Sequence, residues 1–184
     1  MTTNAEPWPA AGSVHDDLLA AKARVYDPSG LTCSRPVPEK ESAAYGAYAF
    51  TVAGLRVRFR VARTTPTKVG QFVTVWQREP GEPIRPFDVR DPVDLIVISC
   101  RDGGGFGQFV FPRAVLGERG VLSREGAGGK RALRVYPPWV TTSNRQAGSS
   151  QAWQLKHFLP LPGQGPADAE RVRAYYLRAA PGTA

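Results

Sequence analysis

The chain has 184 residues, 42% of them hydrophobic, which is enough for one domain with a sizeable core. Its formal net charge is +8, and no stretch approaches the roughly 18 apolar residues that a membrane-spanning helix needs. The N-terminus lacks the basic-then-apolar order of a secretory signal, and Cys33 and Cys100 stand far apart in no metal-like spacing, so a reduced, cytoplasmic protein is expected.

Residues 1–12, rich in Ala, Pro and Thr, read as a disordered tail. A helix is expected over SVHDDLLAAKARVYD, with Ser13 as N-cap, Leu18, Leu19, Lys22 and Val25 inside, and Asp17 and Arg24 outside. ESAAYG could hold one helical turn. YGAYAFTV, a turn at Ala53-Gly54, LRVRFRVAR and GQFVTVWQRE read as a three-stranded meander. EPGEPIRPFDVRDP is a proline-rich loop. VDLIVISC is nearly continuous in apolar residues and reads as a central strand buried on both faces, with Cys100 in the core near its end. RDGGGFG turns it into QFVFP, RAVLGERGV gives a short helix, and RALRVYPPW a further strand. SSQAWQLKHFLPL and AERVRAYYLRA read as helices joined by a linker. The expected organisation is one α/β domain over 13–160, a linker over 161–168 and a C-terminal helix and tail over 169–184.

The charge is unevenly placed. Residues 1–55 contain four Lys/Arg against six Asp/Glu, and residues 56–184 contain twenty against ten. Nineteen of the 24 cations are arginine, whose planar fork suits phosphate, although a GC-rich genome produces the same bias. In RVRFRV, Arg56, Arg58 and Arg60 share one strand face and Val57, Phe59 and Val61 the other. Residues two apart on a strand are separated by about 6.6 Å, close to the spacing of neighbouring phosphates. Arg63 and Lys68 extend the run through TTPTK, where Thr64, Thr65 and Thr67 offer hydroxyl donors. The alternative is an edge strand guarded by cations against aggregation.

Lys130, Arg131 and Arg134 form a second basic group behind Gly128 and Gly129. It is no Walker A loop, since Arg131 stands where Ser or Thr is required. Tyr136 and Trp139 precede Asn144, Arg145 and Gln146, an aromatic-polar mixture suited to bases, though Trp139 reads better as packing. Nothing marks a standard catalytic site: His15 and His157 have no recognisable partners, and HExxH and GxSxG are absent. Glu39, Glu41, Asp88, Asp91 and Asp94 are the carboxylates that could hold a hard metal, and Asp88 and Asp91 read equally well as turn caps.

FRVARTTPTKVGQFVTVW, PFDVRDPVDLIVIS, FGQFVFP, GGKRALRVYPPW and TSNRQAGSSQAWQLKHF, in this order, resemble the MepB family from about Glu39 to Leu159. That family is named for a bacterial protein encoded beside a multidrug efflux pump and its repressor. The resemblance implies an α/β fold with a mixed central sheet flanked by helices, like that of restriction endonucleases, and nucleic-acid binding, DNA ahead of RNA. Such nucleases carry a (D/E)xK signature. Here Ala20, Pro38, Pro66, Gly128 and Gln154 stand two residues before the five lysines, so the signature is absent. A Mg²⁺-dependent nuclease would need a migrated site, such as Glu41 with Lys68 and Gln71, and is the minority expectation. The other alternative is an accessory of an efflux or stress operon that binds a protein or small anion. The expected activity is phosphate-backbone binding through Arg56, Arg58, Arg60, Arg63, Thr65, Thr67, Lys68, Lys130, Arg131, Arg134, Asn144 and Arg145, with no cofactor.

Overall fold

The computed structural model describes residues 7–40 and 46–178, so the turn read in ESAAYG and candidate residue Glu41 lie outside the described residues. Of the expected tail, residues 7–12 are described, and Trp8 sets its ring edge-on to Phe50 at 5.8 Å. Helix α1 (Asp16–Ala21) runs on into a π turn over Lys22–Tyr26. Its cap is His15 and not Ser13: Nδ1 of His15 accepts the Asp17 N–H at 3.1 Å, while Ser13 Oγ donates back to the Ala10 carbonyl. Asp17, expected outside, is buried. It stands four residues before Ala21 on the arc that must face the core, and its carboxylate accepts from Ser99 Oγ (2.7 Å) and Arg101 (2.9 Å), fastening the helix to the sheet.

Strands β1 (Val37–Pro38), β2 (Tyr48–Val52) and β3 (Leu55–Val61) begin the main sheet. A two-residue turn joins β2 to β3; Ala53 and Gly54 both take positive φ (49° and 79°), which matches the twist of a hairpin. The expected meander stops there. β4 (Arg63–Thr64) and β5 (Gln71–Thr74) leave for a second sheet, because the free edge of β3 is taken by a parallel partner, β8. β6 (Trp76–Gln77) and β7 (Arg85–Pro86) pair as a short ribbon.

β8 (Leu95–Asp102) is the central strand that its nearly continuous apolar run predicts. Leu95 and Val97 pack on one side of the sheet, and Ile96, Ile98 and Cys100 on the other. A Gly103-Gly104 turn returns it as β9 (Gly105–Pro112), followed by the short helix α2 (Arg113–Glu118). β10 (Ala132–Val135) pairs with β5, completing a three-stranded sheet of order β10-β5-β4. Helix α3 (Arg145–Gln154) begins four residues before the expected Ser149, because Asn144 caps it by accepting the Ala147 N–H at 2.8 Å. A 3-10 turn over Leu155–His157 ends it, and Phe158–Pro160 is not more helix but β11, paired with β9. The main sheet therefore runs β1-β2-β3-β8-β9-β11, with β3 and β8 parallel and every other pair antiparallel.

Helix α4 (Ala169–Leu177) lies with α1 and the π turn on one face of that sheet, where Tyr176 meets Tyr26 edge-on at 5.4 Å. Leu161 and Ala167, in the segment read as a linker, are buried in the same core. The opposite face carries the second sheet with α2 and α3, around Phe109, Phe111 and Val135. This is an α/β architecture with a mixed sheet between two layers.

Gly107 is where β11 can approach β9. A Cβ there would sit 2.7 Å from the Leu159 carbonyl and against the Phe158 ring. Gly107→Ala is expected to destabilise the fold by about 1–3 kcal/mol through overpacking, measurable as a lower denaturant midpoint.

Candidate functional site

The arginine strand is placed as its alternation predicts, with Arg56, Arg58 and Arg60 on one face of β3, but each meets a carboxylate. Arg56 grips Asp94 through Nε (2.9 Å) and Nη2 (2.9 Å). Arg58 donates to Glu39 at 2.7 Å, and Arg60 is ion-paired to the other oxygen of the same carboxylate. Arg60 is only 1% exposed, and burial lowers its pKa against the opposing pull of Glu39. Its guanidinium and that of Arg58 also lie over the Phe87 ring, at 5.8 and 5.7 Å. The cleft beside them, of about 710 Å³, has Glu39, Glu79 and Glu82 in its wall. Arg60 is thus closed to a phosphate, and the face is one of paired charges.

The other acids weighed as metal ligands are held in the same way. Asp91 takes Arg85 at 2.9 and 3.1 Å together with the Asp88 N–H, and Asp88 takes Ser123 Oγ, the Gly126 N–H and Arg90. They cap the turn. Hydrogen bonds, led by the Gly126 N–H, hold Asp88 well below the usual carboxylate range; Arg56 lowers Asp94, and at Asp91 the upward push of burial is outweighed by hydrogen bonds led by that of Arg85. Among the described residues no three His, Cys, Asp or Glu side chains group to hold a metal ion. Gln71, proposed with Glu41 and Lys68, is buried, and its amide donates to Thr64 Oγ1 (3.1 Å) and the Arg101 carbonyl (2.9 Å).

Carboxylates whose folded pKa lies below the unfolded value near 4 contribute stability above that value, and it is lost as pH falls. The denaturant midpoint is expected to drop steeply from about pH 4 downward. A shallower fall below about pH 6.5 belongs to His157, whose protonation is opposed by burial and then by Lys156 and Arg119. A midpoint unchanged down to about pH 2.5 would contradict the pairing described.

The TTPTK loop is built round a cation. Arg134, on β10, donates from Nη1 to the carbonyls of Lys68 (3.4 Å), Val69 (3.2 Å) and Gly70 (3.1 Å), and from Nη2 to Thr65 Oγ1 (3.1 Å). Two of the loop hydroxyls, Thr64 and Thr65, are engaged internally; Thr67 and Lys68 remain exposed. Arg63 is exposed on β4.

Between this loop, β10 and α3 lies a groove of about 610 Å³. It gathers Thr67, Lys68, Lys130, Arg134 and Asn144 from the predicted set and adds Arg119 from the end of α2. Arg119 lies 5.4 Å from the Trp153 ring centre. Tyr136, Trp153, Ser143 and Ser150 complete its ring and hydroxyl surfaces, and among the described residues no carboxylate lines it. Gln154 makes the floor rigid: fully buried on α3, it accepts the Tyr136 N–H at 2.9 Å and donates to the Arg134 carbonyl at 3.0 Å. It thereby substitutes for a missing strand at the edge of β10. Arg131 and Arg145 are exposed outside the groove lining, and Trp139 packs edge-on against Phe158 at 5.8 Å, as packing. Asn144 is engaged as the α3 cap. Arg119 and Trp153 were not legible as site residues, since only the meeting of α2 and α3 brings them to the groove.

Fold and groove together define an α/β protein with a mixed six-stranded sheet and a cationic, aromatic-walled groove. The MepB-like family profile matches residues 39–160. A solved structure described as the crystal structure of MepB is 32% identical, with a TM-score of 0.68 over 79% of this chain and 95% of that one. The chain belongs to the MepB-like family. No curated protein matches it.

Proposed function

We propose that the protein binds nucleic acid through its phosphate backbone in the groove between the 64–70 loop, β10 and α3. The observation that carries this reading is the wall itself: four cations, Lys68, Arg119, Lys130 and Arg134, with no carboxylate beside them among the described residues. Cations attract the backbone, and Tyr136 and Trp153 offer rings on which exposed bases could stack. The β3 arginines have the residue type but not the availability, since each is matched by an acid. The endonuclease-like fold and a place in the cytoplasm belong to the same reading: the first rests on the family resemblance, the second on two buried, unpaired cysteines.

The test is binding of labelled duplex and single-stranded oligonucleotides across a salt series, with and without Mg²⁺, on a gel that also reports cleavage. Four phosphate contacts predict a log–log slope of about −3.6 on duplex. Intact, salt-steep complexes support the proposal. An affinity insensitive to salt would overturn it.

A further inference from the structure

A second cleft, of about 640 Å³, opens on the far side of the 3-10 turn, between that turn, the start of α2 and the end of α4. Arg113, Lys156, Arg171 and Arg178 converge on it beside His157 and Tyr175. Among the described residues the one carboxylate in the wall is Asp94, which is held by Arg56 and also feels the charge of Arg113. No ion pair joins Arg113, Lys156, Arg171 or Arg178 to an acid among the described residues. The side-chain bond of Arg171 goes to a carbonyl, Phe158 O, at 3.3 Å. Four cations round one cavity repel each other, and that cost is relieved when an anion enters.

The remaining wall is not ionic. Pro112, Ala114 and Ala174 line it with apolar surface. Tyr175 presents a ring fixed in place because its hydroxyl donates to the Phe158 carbonyl at 3.1 Å, and the His157 imidazole is set edge-on to Phe111 at 5.9 Å. A wall that combines cations with flat apolar surfaces selects an anion that carries a ring. We propose that this cleft binds a small organic phosphate bearing a flat ring, the chemistry of a nucleoside monophosphate, at a site separate from the groove.

The probe is adenosine 5′-monophosphate (AMP), titrated into the full chain and followed by proton NMR of the imidazoles. The chain has two histidines, so His15 serves as internal control. Saturable movement of the His157 resonances is expected, with the imidazole titrating at higher pH once a dianion offsets Lys156 and Arg119. Arg113→Gln with Arg178→Gln should weaken binding about a hundredfold, two charge-assisted hydrogen bonds at roughly tenfold each. Neither side chain makes a hydrogen bond or ion pair among the described residues, and Asp94, whose pKa Arg113 helps to lower, keeps its two bonds from Arg56, so the fold should tolerate the change. Inorganic phosphate should bind at least about tenfold more weakly than AMP, for want of the ring. Lys68→Ala with Lys130→Ala should leave AMP affinity unchanged, which separates this cleft from the groove whether or not the groove binds nucleic acid. A 5′-phosphorylated oligonucleotide that displaces AMP would make strand ends the source of the phosphate; absence of displacement would make it free nucleotides. No saturation by about 10 mM AMP, affinity unchanged in the double glutamine variant, or inorganic phosphate binding as tightly as AMP would each overturn the proposal.

Discussion

Lys68→Ala combined with Lys130→Ala is expected to lower the affinity for duplex DNA about 50-fold at 0.1 M salt and to flatten the salt slope by about 1.8. Neither ammonium has a hydrogen-bond or ion-pair partner among the described residues, so their removal takes charge from the groove without disturbing the fold. The loss should be uniform across sequences, because a point charge reads phosphate and not bases. Arg134 is a less clean probe, since four of its bonds hold the 64–70 loop and its removal would disorder the wall as well. A filter-binding series on the double variant and the wild type checks the expectation. An unchanged slope would remove the groove from consideration.

The largest expected effect on stability lies at Arg60. Arg60→Ala leaves a cavity beside Phe87 and takes from Glu39 one of its two arginines, Arg58 remaining, and should cost about 2–5 kcal/mol of unfolding free energy. Arg60→Met, which fills the space, should still lose the pairing but cost less. Denaturant unfolding of the two variants distinguishes these outcomes. If Arg60→Ala were as stable as the wild type and bound DNA more weakly, Arg60 would belong to the ligand face and not to the fold.

These two results bear on how much of the protein its sequence discloses. Alternation in RVRFRV places three arginines on one face, and they are there. What covers that face is not in the alternation: Glu39 lies 19 residues before Arg58, and Asp94 lies 38 residues after Arg56. Long-range pairing gives each arginine of that face a carboxylate partner that the alternation does not disclose. VDLIVISC and the Ala53-Gly54 turn were legible because their signals are local: a nearly continuous apolar run and a turn with glycine at its second position. β5 was misassigned to the meander because only the parallel docking of β8 decides which edge of β3 is free. For the same reason the groove was half visible. Lys68, Lys130 and Arg134 stand out in basic clusters, whereas Arg119 and Trp153 look like ordinary helix residues until α2 and α3 meet.

The most direct test of the central claim is a crosslinking map. A photoactivatable oligonucleotide would be bound to the full chain at low salt, irradiated, and the adducts located by mass spectrometry. Adducts are expected at Tyr136, Trp153 and Lys130, round the groove, with none on β3. Adducts concentrated at Arg56 and Arg58, with the groove untouched, would contradict it.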